Sequence, residues 1–159
     1  MDEITTKPKI LYVEDEPLAH RNIHEYFTRN GMYEIISAYN GAEALEKLAQ
    51  EPDIKCILLD YHMPDMNGLA FLAKQKQIEA IKNIPVIIQT AQPLLLFMPS
   101  LPEEAPIAGY LQKPYRFKNM VESIEQALND KDNIIADYQA RIRTAHRYAK
   151  DTNMPNVYE

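Results

Sequence analysis

The chain has 159 residues, a formal net charge of −6, one cysteine and no tryptophan. That length suits one domain with an appendage, a hydrophobic content of 46% argues against wholesale disorder, and a single cysteine rules out an internal disulfide framework or a cysteine-built zinc cluster. The longest apolar run, Leu94 to Met98, is far too short to span a membrane, the N-terminal MDEITTKPK lacks the apolar stretch of a signal peptide, and the acidic balance speaks against direct nucleic-acid binding, so a cytoplasmic protein with no membrane or direct nucleic-acid partner is expected.

Lys9 to Val13 is a short apolar run ending in Glu14-Asp15-Glu16-Pro17 and reads as a buried strand. Pro17 suits the first turn of a helix, which runs to about Arg29 with Leu18, Ile23 and Phe27 toward the core and is closed by Gly31. Tyr33 to Tyr39 is a second strand. Asn40 is a candidate N-cap for a helix through Ala42, Leu45 and Leu48. After Pro52, Ile54 to Leu59 forms a third strand running into Asp60. A loop from Tyr61 to Asn67 leads to a helix over about Gly68 to Ile81, then a fourth strand from Pro85 to Gln89. Gly109 to Leu111 is a short fifth strand, and a long helical pattern begins near Tyr115. Strands alternating with helices imply βαβ units, and their nearly all-apolar composition implies a parallel sheet covered on both faces.

In such a sheet, function collects at the carboxyl ends of the strands. Those ends carry Glu14 and Asp15, then Asp60, Thr90 and Lys113. Carboxylates at this density tolerate one another only beside a cation. A small set of hard oxygen ligands suits Mg2+. Lysine and threonine suit phosphoryl oxygens, and a carboxylate can itself be the nucleophile toward phosphorus. The chemistry is that of a metal-assisted phosphoacceptor. No glycine-rich loop follows the first strand, which argues against a dinucleotide, flavin or P-loop site. An acid at a strand end can also be a plain helix cap, and Cys56 reads as an inert buried thiol.

The segments ILYVEDE at 10–16, LLDYHMPDMNG at 58–68, Thr90-Ala91 and GYLQKP at 109–114, in that order and spacing, resemble the receiver domain of bacterial two-component response regulators over roughly the first 128 residues. The resemblance implies an α/β flavodoxin-like doubly wound five-stranded parallel sheet in the order 2-1-3-4-5. It implies Asp60 as phosphoacceptor, Mg2+ held by Asp15 and Asp60, Glu14 as a direct or water-mediated ligand, and the backbone carbonyl of His62 as a further one. Thr90 and Lys113 would engage phosphoryl oxygens, and Tyr110 stands where the family has its switching aromatic, although a plain core aromatic is the alternative. The His62 side chain is either a solvated loop residue or one that tunes phosphate lifetime. Met63-Pro64 and Asn67-Gly68 shape the loop, and Pro114 is often cis in this family. The implied partner is a histidine kinase or phosphotransfer protein. Phosphorylation would then change the surface formed by the fourth helix, fifth strand and fifth helix. No activity beyond self-phosphotransfer and self-dephosphorylation is expected. The alternative is a non-phosphorylated receiver-fold scaffold acting by partner binding. A phosphohydrolase acting on external substrates lacks a convincing second acid.

Two segments depart from that pattern. With 11 prolines against 4 glycines, the chain inverts the usual ratio, and Pro93, Pro99, Pro102 and Pro106 all fall in 92–108. A proline inside a helix costs about 3 kcal/mol, so the fourth helix is expected to be degraded to short turns, with Ser100 and Glu103 as a possible capping box. Leu94 to Met98 must be buried by the domain or by a partner. Beyond it, a 4–3 alternation runs from Phe117 through Val121, Ile124, Leu128, Ile135, Tyr138, Ile142, Ala145 and Ala149, broken by Lys131. The expected division is a receiver domain over 1–128 and a C-terminal helical extension or linker over 129–159. The favoured form is one helix of about 30 residues, on the order of 45–50 Å, able to form a homodimer. The competing form breaks at Asn129 to Asn133, which are poor helix formers and good caps, and folds back on the domain. Met154 to Asn156 reads as a frayed end or a linker stub.

Overall fold

A computed structural model describes residues 6–63 and 66–151. Pro64 and the 154–156 segment fall outside the described residues. The order is β1 (Lys9–Val13), α1 (Pro17–Asn30), β2 (Glu34–Ala38), α2 (Gly41–Gln50), β3 (Ile54–Asp60), α3 (Gly68–Lys76), β4 (Val86–Thr90), α4 (Leu94–Phe97) with a following 3-10 turn (Met98–Ser100), β5 (Ile107–Gln112), α5 (Phe117–Asn129) and α6 (Lys131–Asp151). The strands form one parallel sheet in the order β2-β1-β3-β4-β5.

Strand side chains alternate between two cores, as the two-residue period requires. Leu11, Val13, Ile57, Leu59, Val86 and Ile88 face the layer of α2, α3, α4 and α6. Ile10, Tyr12, Cys56, Leu58 and Ile87 face the layer of α1 and α5. Cys56 is fully buried, and burial pushes its thiol up to about 12, so it is an inert core residue.

The helix boundaries follow local chemistry. Pro17 opens α1, and Gly31 closes it at φ 69°, where its N–H reaches Phe27 O at 2.9 Å. Asn40 caps α2 by accepting from Glu43 N (2.8 Å), and Asn67 caps α3 by accepting from Ala70 N (2.9 Å). The fourth helix is reduced to one turn and a 3-10 turn, as the prolines require. Phe97 and Met98 are buried, whereas Leu95 and Leu96 are exposed.

Four expectations need correction. Leu18 is 58% exposed, and His20 takes the core-facing place with Ile23 and Phe27; positions 20, 23 and 27 share one helical stripe and position 18 does not. The third helix ends at Lys76, not near Ile81. Buried Gln75 donates through Nε2 to Ile81 O (3.0 Å) and Ile84 O (3.1 Å), folding the following residues into turns. No helix opens at Ser100, where the 3-10 turn ends. The favoured single C-terminal helix is also not what forms.

The break comes at Asp130, with φ −140° and ψ 38°. Asp130 N–H closes α5 on Gln126 O, Asp130 O accepts from Ile134 N–H (3.1 Å), and Asp130 Oδ1 accepts from Asn133 Nδ2 (2.8 Å). One residue thus terminates one helix and starts the next. α6 folds back and packs on β5 and the 3-10 turn. Ile134 and Ile135 lean on the core beside α5, while Tyr138, Ile142 and Ala145 join the opposite core. α6 therefore wraps the edge of the sheet at β5, covering an edge that would otherwise present unpaired backbone groups. Complete burial of Ile142 stabilises this docking by roughly 1.5–3 kcal/mol.

Candidate functional site

The parallel register lines up the carboxyl ends of β1, β3, β4 and β5 on one rim, where the sequence places its acids, threonine and lysine. Carboxylate oxygens of Glu14, Asp15 and Asp60 lie within 4.8 Å of one another. Glu14 and Asp60 are buried, and Asp15 is exposed. The N-cap of α1 is Glu16, which makes no side-chain cap bond.

Lys113, just past β5, places Nζ 2.9 Å from Glu14 Oε2 and 3.3 Å from Asp60 Oδ2. Its own N–H reaches Thr90 O at 2.8 Å, which ties the ends of β4 and β5 together. The Lys113-Pro114 bond is cis. Burial lowers the Lys113 pKa, but the contacts with Glu14 and Asp60 outweigh it and leave the group above its ordinary value. Glu14 is raised as well, which for a carboxyl group disfavours the charged form. Burial first, and then its hydrogen bond and repulsion with Asp60, push it up to about 7, against the pull of Lys113. One lysine is insufficient for this cluster of acids, and the uncompensated charge with its convergent hard oxygens fits a small divalent cation such as Mg2+.

His62 enters through its backbone. Its N–H donates to Asp60 Oδ1 (3.2 Å), holding the loop after β3 against the acid, while the side chain is exposed and its ring meets Tyr61 edge-on at 5.4 Å. Thr90 is buried, and its Oγ1 accepts from Gln92 N–H (3.3 Å). Tyr110, partly buried, donates its hydroxyl to the Gln92 carbonyl. Its ring stands 6.0 Å from Phe97, which in turn stacks on Tyr61 at 4.7 Å. Six of the seven residues singled out in the sequence thus gather at this rim, and Tyr110 stands behind them against Gln92 and Phe97.

Two supporting groups had not been singled out. His20 is buried, with Nε2 2.6 Å from Glu14 O and Nδ1 2.9 Å from Ser37 Oγ; His24 Nε2 reaches the same hydroxyl at 2.7 Å. Burial lowers the His20 pKa and favours the neutral ring. The stripe at 20, 23 and 27 was the available signal. On the other face of β4, buried Gln89 accepts from the Tyr115 hydroxyl; nothing in the sequence pairs those two residues.

Comparison with known proteins gives a consistent result. The family model described as the response regulator receiver domain matches residues 10–125. The chemotaxis protein CheY1 of Helicobacter pylori is 31% identical over 125 residues, covering 78% of this chain and 99% of that protein. A receiver-domain protein of Clostridium thermocellum superposes with a TM-score of 0.66 at 25% identity, over 80% of this chain and 98% of the other. The N-terminal domain of a response regulator receiver protein from Methanoculleus marisnigri gives a TM-score of 0.55 at 35% identity, over 76% of this chain and 96% of the other.

Proposed function

The chain belongs to the response regulator receiver family, and on that premise we propose that it is a signalling switch phosphorylated on Asp60. The observation that carries this is the convergence of Glu14, Asp15 and Asp60 within 4.8 Å, with Lys113 Nζ on two of them. A carboxylate oxygen of Asp60 attacks the phosphorus of a phosphohistidine on a histidine kinase or phosphotransfer protein. The P–N bond breaks, the imidazole nitrogen leaves with the electron pair, and Asp60 becomes an acyl phosphate. Glu14, Asp15, Asp60 and the His62 carbonyl would hold Mg2+. When bound, the ion supplies charge neutralisation for the acids and the phosphoryl oxygens. Lys113 then pairs with one phosphoryl oxygen, and the Thr90 hydroxyl donates to another. The new group adds about −2 charge beside β4. Thr90 is drawn toward it, Gln92 follows, and Tyr110 loses the carbonyl that holds its hydroxyl.

Output runs through protein contacts. Among the described residues no helix is long and apolar enough to cross a membrane. Homodimerisation through the C-terminal helix is not favoured, because Ile142 in its apolar seam is already buried in its own domain.

Incubation with Mg2+ and acetyl phosphate or phosphoramidate, followed by intact mass measurement, tests the assignment. A phosphoryl adduct is expected on the wild-type chain and not on Asp60→Asn. Absence of the adduct with every donor would leave the non-phosphorylated scaffold as the better account.

A further inference from the structure

The docking of α6 has a feature that its sequence does not announce. Of the 21 residues in α6, only Ile142 is buried completely. Tyr138 and Ala145 pack partly buried beside it, Ile134 and Ile135 pack partly buried against the other core, and the remaining contacts form a polar rim. His146 Nε2 lies 2.7 Å from Leu101 O, its Nδ1 lies 3.3 Å from Glu103 Oε1, and Gln139 Nε2 lies 3.5 Å from Ala105 O. All three rim contacts go to the proline-rich segment that replaces the fourth helix. A long helix with one completely buried side chain, four half-buried apolar ones and a few polar contacts to a loop is more weakly attached than the core strands. Movement of the loop would displace its partners.

That loop is tied to the phosphoacceptor at both of its layers. At its start, Gln92 is held by Thr90 Oγ1 through its N–H and carries the Tyr110 hydroxyl on its carbonyl. In its middle, Phe97 stacks on Tyr61, the residue after Asp60, and adjoins the Tyr110 ring. Phe97, Met98, Leu101 and Ile142 belong to one packed cluster. A packed cluster does not deform continuously, so a shift of Thr90 and Gln92 must be taken up by repacking around Phe97 or by loss of contact at Ile142.

We propose that α6 is a tethered occupant of the face formed by β5 and the 93–106 segment, docked in the unmodified protein and released when Asp60 is phosphorylated. Release uncovers Phe97, Met98 and Leu101, beside the already exposed Leu95 and Leu96, and frees the α6 face carrying Tyr138, Ile142 and Ala145. The proline-rich segment then serves as a dock for the chain's own helix, which explains why a proper fourth helix is missing from it. The inference rests on the Asp60 phosphoacceptor reading. Coupling is reciprocal: whatever detaches α6 also favours the phosphorylated geometry.

The test uses the full chain with Mg2+ and beryllium fluoride as a phosphoryl mimic, read by amide hydrogen exchange over 131–151, with an acetyl phosphate adduct measured in parallel by mass. Exchange over 131–151 should accelerate on the order of tenfold, while β1 and β3 amides stay protected. In His146→Ala, which removes only rim contacts, the same amides should exchange faster without the mimic, and the mimic should bind more tightly. An Asp60-dependent adduct with unchanged or slowed exchange over 131–151 overturns the release of α6 and leaves the phosphoacceptor intact. No adduct and no mimic binding overturns both.

Discussion

Nζ of Lys113 stands 2.9 Å from Oε2 of Glu14, across 99 positions of sequence, and 3.3 Å from Oδ2 of Asp60. This one ammonium bridges the ends of β1, β3 and β5 and is the only Lys or Arg paired with buried acids among the described residues. Lys113→Met removes it and leaves Glu14 and Asp60 facing each other. Its side chain is 33% exposed, so the full cost of breaking a buried pair must be discounted, to about 1–2 kcal/mol. Urea denaturation without divalent cations at pH 8 should show that loss. At pH 5.5, where Glu14 is largely protonated, the loss should shrink. An equal loss at both pH values would contradict the assignment.

Glu14 itself predicts a pH dependence. Its folded-state pKa, about 7, lies above its ordinary value of 4.5, so the native state binds the proton more tightly than the unfolded state. The contribution of Glu14 to stability is complete below about 4.5 and is lost as pH rises through about 7. Comparing wild type with Glu14→Gln in metal-free urea melts isolates this slope from all other titrations. Divalent cation should stabilise the wild type more at pH 8 than at pH 5.5, because the ion replaces a proton.

His20 has the opposite sign. Burial first, and then the charge of His24, hold its pKa below the ordinary 6.5, against the bond to Glu14 O. The stability it contributes is present above that value and is lost as pH falls through the lowered one. His20→Leu keeps an apolar body but leaves the Glu14 carbonyl and Ser37 hydroxyl without this ring, a loss of about 1–3 kcal/mol. Calorimetric titration with Mg2+ should also show weaker binding, since Glu14 loses the group that fixes its backbone. Unchanged Mg2+ affinity would restrict His20 to a purely structural role.

Gly109 marks where α5 rides on β5. A Cβ there would lie 2.5 Å from Ser123 Oγ and 3.2 Å from Ile87 Cγ1. Gly109→Ala should cost about 1–3 kcal/mol through overpacking. Adding Ser123→Gly should recover part of it, because the closest contact is then removed. No recovery in the double variant would shift the cause to Ile87 or the backbone.

How much of this was legible in advance varies by residue. Asn40, Asn67 and Pro17 declared their helix starts because capping and proline chemistry act within a few residues. The rim of Glu14, Asp15, Asp60, Thr90 and Lys113 was legible because strand ends in a parallel sheet have a fixed place to converge. Counting the α1 stripe from Leu18 passes over His20, because hydrophobicity alone does not mark a histidine as core-facing, and the Gln75 bonds that end α3 early depend on carbonyls six and nine residues away.

Two-residue alternation, strand-end chemistry and four prolines are enough to read the sheet, its acidic rim and the loss of the fourth helix from the residues alone. The sequence also carried both options for the C-terminus: an apolar seam suited to a partner chain and a run of capping residues at 129–133. Only the tertiary structure chose between them. The proline-broken segment left Phe97, Met98 and Leu101 without a helix to cover them and left β5 as an open edge, and Asp130 allowed α6 to turn back and bury Ile142 there. Local propensity cannot rank a contact with one's own sheet edge against a contact with a second molecule. That ranking is set by what surface the rest of the fold leaves uncovered within reach of the turn.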